Sequence, residues 1–201
     1  MSMAREAAMI RIALVALAGI FVLAYVEMAK NPGAGNRRRS FLGRSLGNAC
    51  PANPAERGDF GTADYNWPLT SLDGRELTFS EFQDRVVFLN VWATWCGPRV
   101  AEMPAIQRLH DAVSDDGIAL VLVSDEDAAE VREFVRKGNF TFPVCLSNAM
   151  PAVFESDAIP TTFVVSRQGR VVLNHTGAAA WDSAACQSFL RALQSTTAVG
   201  E

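Results

Sequence analysis

Basic charge, histidine and clustered cysteine are all scarce in this chain, and each shortage closes off a class of function. Lys and Arg number 18 against 22 Asp and Glu, a formal net charge of -4, so no basic footprint marks a nucleic-acid surface. The four cysteines, Cys50, Cys96, Cys145 and Cys186, lie far apart in the chain. The two histidines, His110 and His175, stand alone. A zinc site needs close pairs of Cys or His, so neither a metal nor another cofactor is expected. Charged residues make up only 20% of the chain and hydrophobic residues 49%, which excludes a largely disordered polypeptide. With 201 residues there is room for one domain plus extensions.

What is present begins with an apolar run. Ile12 to Val26 carries no charge, and the stretch widens to Ala8 through Ala29 if Arg11 and Glu27 snorkel. About 20 apolar residues suffice to cross a bilayer as a helix. The segment Glu27-Met28-Ala29-Lys30-Asn31-Pro32 is a poor cleavage site, which favours a retained anchor over a removed signal peptide. Lys30, Arg37, Arg38, Arg39 and Arg44 follow the run, and charge counting alone would keep that flank, and the domain after it, in the cytoplasm. Arg38-Arg39-Ser40-Phe41-Leu42 has no apolar run after it to make an export signal, and Leu46-Gly47-Asn48-Ala49-Cys50 is a poor lipoprotein box. The resulting organisation is an anchor over 1–30, a flexible tether over 31–59, a folded domain over 60–195 and a short tail over 196–201.

Within the domain, Trp67 to Leu72 and Arg75 to Phe79 flank Asp73-Gly74 and predict a β-hairpin. Val86 to Trp92 is a nearly unbroken apolar run of strand length, as a strand covered on both faces requires. After Pro98, the residues Val100, Met103, Ile106, Leu109 and Val113 recur at helical spacing, with Pro104 placed to kink the helix. Ile118 to Val123 reads as a strand, Ala128 to Lys137 as a helix stopped by Gly138, and Phe140 to Cys145 as a short strand. Thr161 to Ser166 and Arg170 to His175 form a second hairpin, and Trp181 to Gln194 a final helix. This order predicts an α/β fold with a mixed central sheet and helices on both faces.

Cys96 falls where a strand passes into a helix. A thiol there faces unpaired N–H groups and the positive end of the helix dipole, which favour thiolate over thiol and make the sulfur a nucleophile toward disulfides.

The segments Val91-Trp92-Ala93-Thr94-Trp95-Cys96-Gly97-Pro98, Ala101-Glu102-Met103-Pro104 and Ile159-Pro160-Thr161-Thr162-Phe163 come in that order. Together they resemble the thioredoxin superfamily, and within it the membrane-anchored TlpA and ResA type of bacterial thioredoxin-like protein. The resemblance covers about Asp59 to Gln194. It implies a thioredoxin-like fold facing the periplasm or cell exterior, and thiol-disulfide exchange with extracytoplasmic protein thiols and disulfides, as in cytochrome c maturation. A membrane or soluble thiol donor would complete the cycle. By the resemblance, Cys96 matches the nucleophile, Glu102 the glutamate that manages protons, and Pro160 the cis-proline opposite the sulfur. Trp95, Gly97, Pro98, Arg99, Ile159 and Thr161 border the substrate position. Arg99 stands where the resolving cysteine belongs, and Val100 where a basic residue is usual.

Losing the second cysteine removes the intramolecular half of the exchange, so release would need an external thiol or another cysteine brought close by the fold. Cys145, at the end of a predicted strand, is the internal candidate, against a simple buried cysteine. Cys50 in the tether and Cys186 in the last helix are candidates for a structural disulfide. Glu102, if buried, could accept a proton, against an ion pair with Arg99. Two other functions compete with exchange: a binding or chaperone module that keeps the groove without turnover, and a thiol peroxidase. The Trp-Cys-Gly-Pro setting is not a peroxidatic pattern.

Overall fold

A computed structural model describes residues 49–51, 58–156 and 160–196. The anchor and most of the tether expected from the sequence lie outside these residues. Among the described residues no helix is long and apolar enough to cross a membrane.

Seven strands form one mixed sheet: β1 (Pro68–Ser71), β2 (Glu76–Thr78), β3 (Val87–Val91), β4 (Ala119–Ser124), β5 (Val144–Leu146), β6 (Thr161–Val165) and β7 (Val171–Thr176). Their spatial order is β2-β1-β5-β4-β3-β6-β7. The centre, β5-β4-β3, is parallel, and the flanking pairs are antiparallel. The α-helices are α1 (Gly97–Val113), α2 (Ala128–Gly138) and α3 (Ala184–Ser195).

Period-2 alternation splits the sheet into two cores. Phe88, Leu120, Leu122 and Val164 face one layer together with Met103, Ile106 and Leu109 of α1, Val131 of α2 and Phe189 and Leu190 of α3. Leu89, Val121, Val123 and Phe163 face the other, against Trp67, Phe79 and Phe154. Helices on both faces were expected, yet all three α-helices supply the first core. The second is closed by single 3-10 turns at Phe79–Phe82 and Ala152–Phe154. The crossovers from β3 to β4 and from β4 to β5 step in the same direction across the sheet. Right-handed connections therefore place α1 and α2 on the same side.

Several element ends differ from the sequence reading, each for a local reason. β5 starts only after Pro143, which has no N–H to give the ladder; Phe142 before it is buried in the core instead. Asn139, at φ 52, takes the left-handed cap after α2, and Gly138 remains helical. α3 begins at Ala184 because the Ser183 hydroxyl accepts the Cys186 N–H, leaving Trp181 in the preceding loop. The hairpin turn holds three residues, not two: Ser71 N–H bonds Arg75 C=O, and Gly74 alone has positive φ, at 90°.

Residues assigned to the tether also belong to the domain. Cys50 is bonded to Cys186 across 136 residues of chain, with Cα atoms 5.0 Å apart. Gly58 N–H and Phe60 N–H bond the Val172 and Val171 carbonyls of the edge strand β7. Asp59 pairs with Arg170, and the guanidinium holds its carboxyl below the usual carboxylate range.

Candidate active site

β3 ends at Val91, and five residues later Cys96 becomes the N-cap of α1. The intervening loop is tied at each step. Trp92 N–H bonds Val123 C=O on β4, and Cys96 N–H closes a turn on Ala93 C=O at 3.3 Å. Inside that turn, Thr94 gives its N–H to Glu126 Oε2 at 2.6 Å and its hydroxyl to Glu126 Oε1 at 2.7 Å. Ser124, the last residue of β4, donates its hydroxyl to Glu126 Oε2 at 3.0 Å.

Cys96 is a free, half-buried thiol with helical N–H groups ahead of it. Trp95 beside it is 72% exposed. Val100, expected on the helix's core stripe, is also exposed, while Met103, Ile106, Leu109 and Val113 are fully buried. Gly97 opens α1 with open space where a Cβ would stand. Arg99 occupies the first turn of α1; its side chain and that of Pro98 lie outside the described residues, as does the whole of Ile159.

The β3–β6 register pairs Val91 with Thr161, which sets Pro160 alongside the residue following Val91, at the mouth of the Cys96 loop. Pro160 is buried, and its carbonyl accepts the Gly177 N–H at 2.8 Å. Thr161, expected beside the substrate position, has a buried side chain whose hydroxyl donates to Ser156 Oγ at 2.8 Å.

Glu102, one turn along α1, is 1% exposed, and its carboxyl accepts the indole N–H of Trp181. Phe88 and His175 both pack edge-on against that indole. Burial lowers the His175 pKa from its ordinary value. On the adjacent sheet surface Asn90 donates to Thr162 Oγ1 at 2.8 Å, a buried polar bond between the strand that leads toward Cys96 and the strand that follows Pro160.

Cys145 is not brought to Cys96. It pairs with Val123 on one side and Ser71 on the other, two strands away from β3. It faces the second core, across the sheet from α1. Burial pushes its thiol up to about 11, so at neutral pH it is a protonated thiol and a poor attacking group.

Glu126, Asn90 and Trp181 escaped the sequence reading. Glu126 sits in an ordinary acidic loop, Asp125-Glu126-Asp127, with nothing local to separate it from its neighbours. Asn90 carried the one available signal, a polar residue inside an otherwise apolar strand.

A strand leading to a reduced cysteine at a helix N-terminus, with a proline-led strand beside it, defines a thioredoxin-like protein. The Redoxin family model matches residues 47–188, more than half of the chain, and the chain belongs to that family. Among curated relatives, it is 30% identical over 120 residues to the thiol-disulfide oxidoreductase ResA of Bacillus thuringiensis subsp. konkukian, covering 58% of this chain and 69% of that protein. Solved structures of the same fold include a secreted thiol-disulfide isomerase from Corynebacterium glutamicum, with TM-score 0.54, 21% identity, and 63% and 82% of the two chains covered. Another is a thiol:disulfide interchange protein of the thioredoxin family from Chlorobium tepidum, with TM-score 0.52, 20% identity, and 67% and 99% covered.

Proposed function

We propose that this member of the thiol-disulfide oxidoreductase group works through Cys96 alone. The carrying observation is the free, half-buried Cys96 at the start of α1, next to the exposed indole of Trp95. The Cys96 thiolate attacks one sulfur of a partner's disulfide, forming a mixed disulfide and expelling the other sulfur as a thiolate, which takes a proton. An external thiolate then attacks the mixed disulfide at the Cys96 sulfur or the partner sulfur. The productive outcome frees the reduced partner and returns Cys96 after a second external thiol has reduced the remaining bond. Each partner disulfide is thus reduced at the cost of two external thiols, which end as a disulfide.

Release by an external thiol is favoured over release by Cys145, whose protonated sulfur faces the opposite layer. Glu102 and Pro160 retain their proposed parts, the first as proton acceptor for the exchange and the second as the backbone wall against which a substrate strand lies. The proposed setting is extracytoplasmic, with the apolar amino-terminal run as a membrane anchor. The Cys50–Cys186 bond supports it, because such disulfides persist in oxidising compartments. The similar protein from Corynebacterium glutamicum is itself described as secreted.

The test is turnover of a protein disulfide by the full chain with excess small thiol. Reduction should follow enzyme concentration and vanish in Cys96→Ala. Activity that survives this substitution would overturn the proposal. Partner capture that survives it would favour the binding-module reading instead.

A further inference from the structure

Resting on that reading of Cys96, we propose that Glu126 is a positioning residue for the nucleophile, holding the β3–α1 loop in its reactive shape through Thr94. Glu126 lies 30 residues beyond Cys96 in sequence numbering and touches no substrate position, yet its carboxylate grips the loop that presents the sulfur.

The grip is specific in its atoms. Oε2 receives the Thr94 backbone N–H and Oε1 the Thr94 hydroxyl, so both carboxylate oxygens are spent on one residue of the loop. Oε2 also receives the Ser124 hydroxyl, and Ser124 Oγ in turn accepts the Glu126 N–H at 3.2 Å. Ser124 is buried at the end of a central strand, so the carboxylate is braced against the rigid sheet. Thr94 lies within the turn closed by Cys96 N–H and Ala93 C=O. Holding Thr94 therefore holds Trp95 and Cys96, the next two residues of the same turn. Hydrogen bonds to a charged acceptor are among the stronger ones a protein makes.

The hydrogen bonds of Glu126 hold the loop that ends at Cys96 and so present the sulfur for attack. The charge of Glu126 and its hydrogen bonding can be separated by substitution. Glutamine keeps one acceptor oxygen for Thr94 and removes the charge; leucine removes both.

The experiment compares Glu126→Gln, Glu126→Leu and Thr94→Val in the full chain. It reads the second-order rate of Cys96 with iodoacetamide and with a protein disulfide, and uses the thermal midpoint to check folding. Positioning predicts that Gln keeps the parent rate within about threefold, whereas Leu slows both reactions by about tenfold, the size expected for losing bonds to a charged group. Thr94→Val, which keeps the backbone bond and loses the hydroxyl bond, should fall between them and stands in for Leu if that variant does not fold. Leu as fast as Gln would overturn the inference, and so would Gln as slow as Leu. A parent Cys96 inert to both reagents would instead overturn the proposed function.

Discussion

Trp181 donates its indole N–H to the carboxyl of Glu102, joining the loop ahead of α3 to the helix that presents Cys96. Both residues are buried in the same layer, so the bond is shielded from water. A buried polar group costs free energy unless it is partnered, and the indole is a partner placed by tertiary packing.

That bond separates the structural and chemical roles of Glu102. Trp181→Phe keeps most of the packing and removes the donor, and should lower stability by about 1–3 kcal/mol in denaturant unfolding. Glu102→Gln keeps an acceptor oxygen for the indole, so its stability should stay within about 1 kcal/mol of the parent. If Glu102 accepts a proton in exchange, the Gln variant should slow mixed-disulfide formation by about 10- to 100-fold. Unchanged exchange in Glu102→Gln would leave Glu102 a structural group only.

Position 99 governs release. Arg99→Cys restores a second cysteine in the first turn of α1, so intramolecular resolution should replace the external thiol. With a protein disulfide as substrate, steady-state reduction should rise by at least about tenfold, given the effective concentrations of intramolecular groups. The mixed disulfide trapped on Cys96 should disappear from non-reducing gels. No gain in rate would mean that the surroundings of Cys96 have diverged along with residue 99.

Cys145 predicts an alkaline limit to stability. Burial raises its pKa from 9.0 to about 11, so the folded chain keeps this proton where the unfolded chain loses it. The associated stability is complete below pH 9.0 and is lost as the pH rises through about 11, in all on the order of 2 kcal/mol. Tyr65, also raised by burial, adds a loss above its ordinary value of 10.0. In Cys145→Ala, unfolding free energy should therefore stay level between pH 9 and 10, where the parent's declines. Parallel curves for the two proteins would contradict this.

The Cys50–Cys186 bond closes a separation of 136 residues and pins the start of the described chain to α3. Its loss in Cys186→Ala should cost about 2–5 kcal/mol, with a lower midpoint in denaturant. Thiol titration of the unfolded, unreduced parent should count Cys96 and Cys145 alone as free. A count of four thiols would show the bond unformed.

Much of the fold was legible because it is written in near-neighbour patterns. The apolar run at β3, the Pro98-led helix with its buried Met103, Ile106 and Leu109, and the hairpin closing at Gly169 each follow from periodicity or turn chemistry within a few residues. Element ends were less legible where one side chain decided them, as Pro143, Asn139 and Ser183 do through a missing donor, a left-handed cap and a hydroxyl cap.

By itself, the sequence determined that Cys96 would stand at the passage from a buried strand into a helix, because strand length, cap position and Pro98 are local properties. Only the tertiary structure decided which distant groups would meet it. The crossovers put α1 and α2 over one face, where α3 joins them, and the strand register turned Cys145 toward the other. Sheet order brought Glu126 to Thr94, and the loop before α3 carried Trp181 to Glu102. Such pairings depend on closing long loops around a particular topology, and no window of neighbouring residues holds that information.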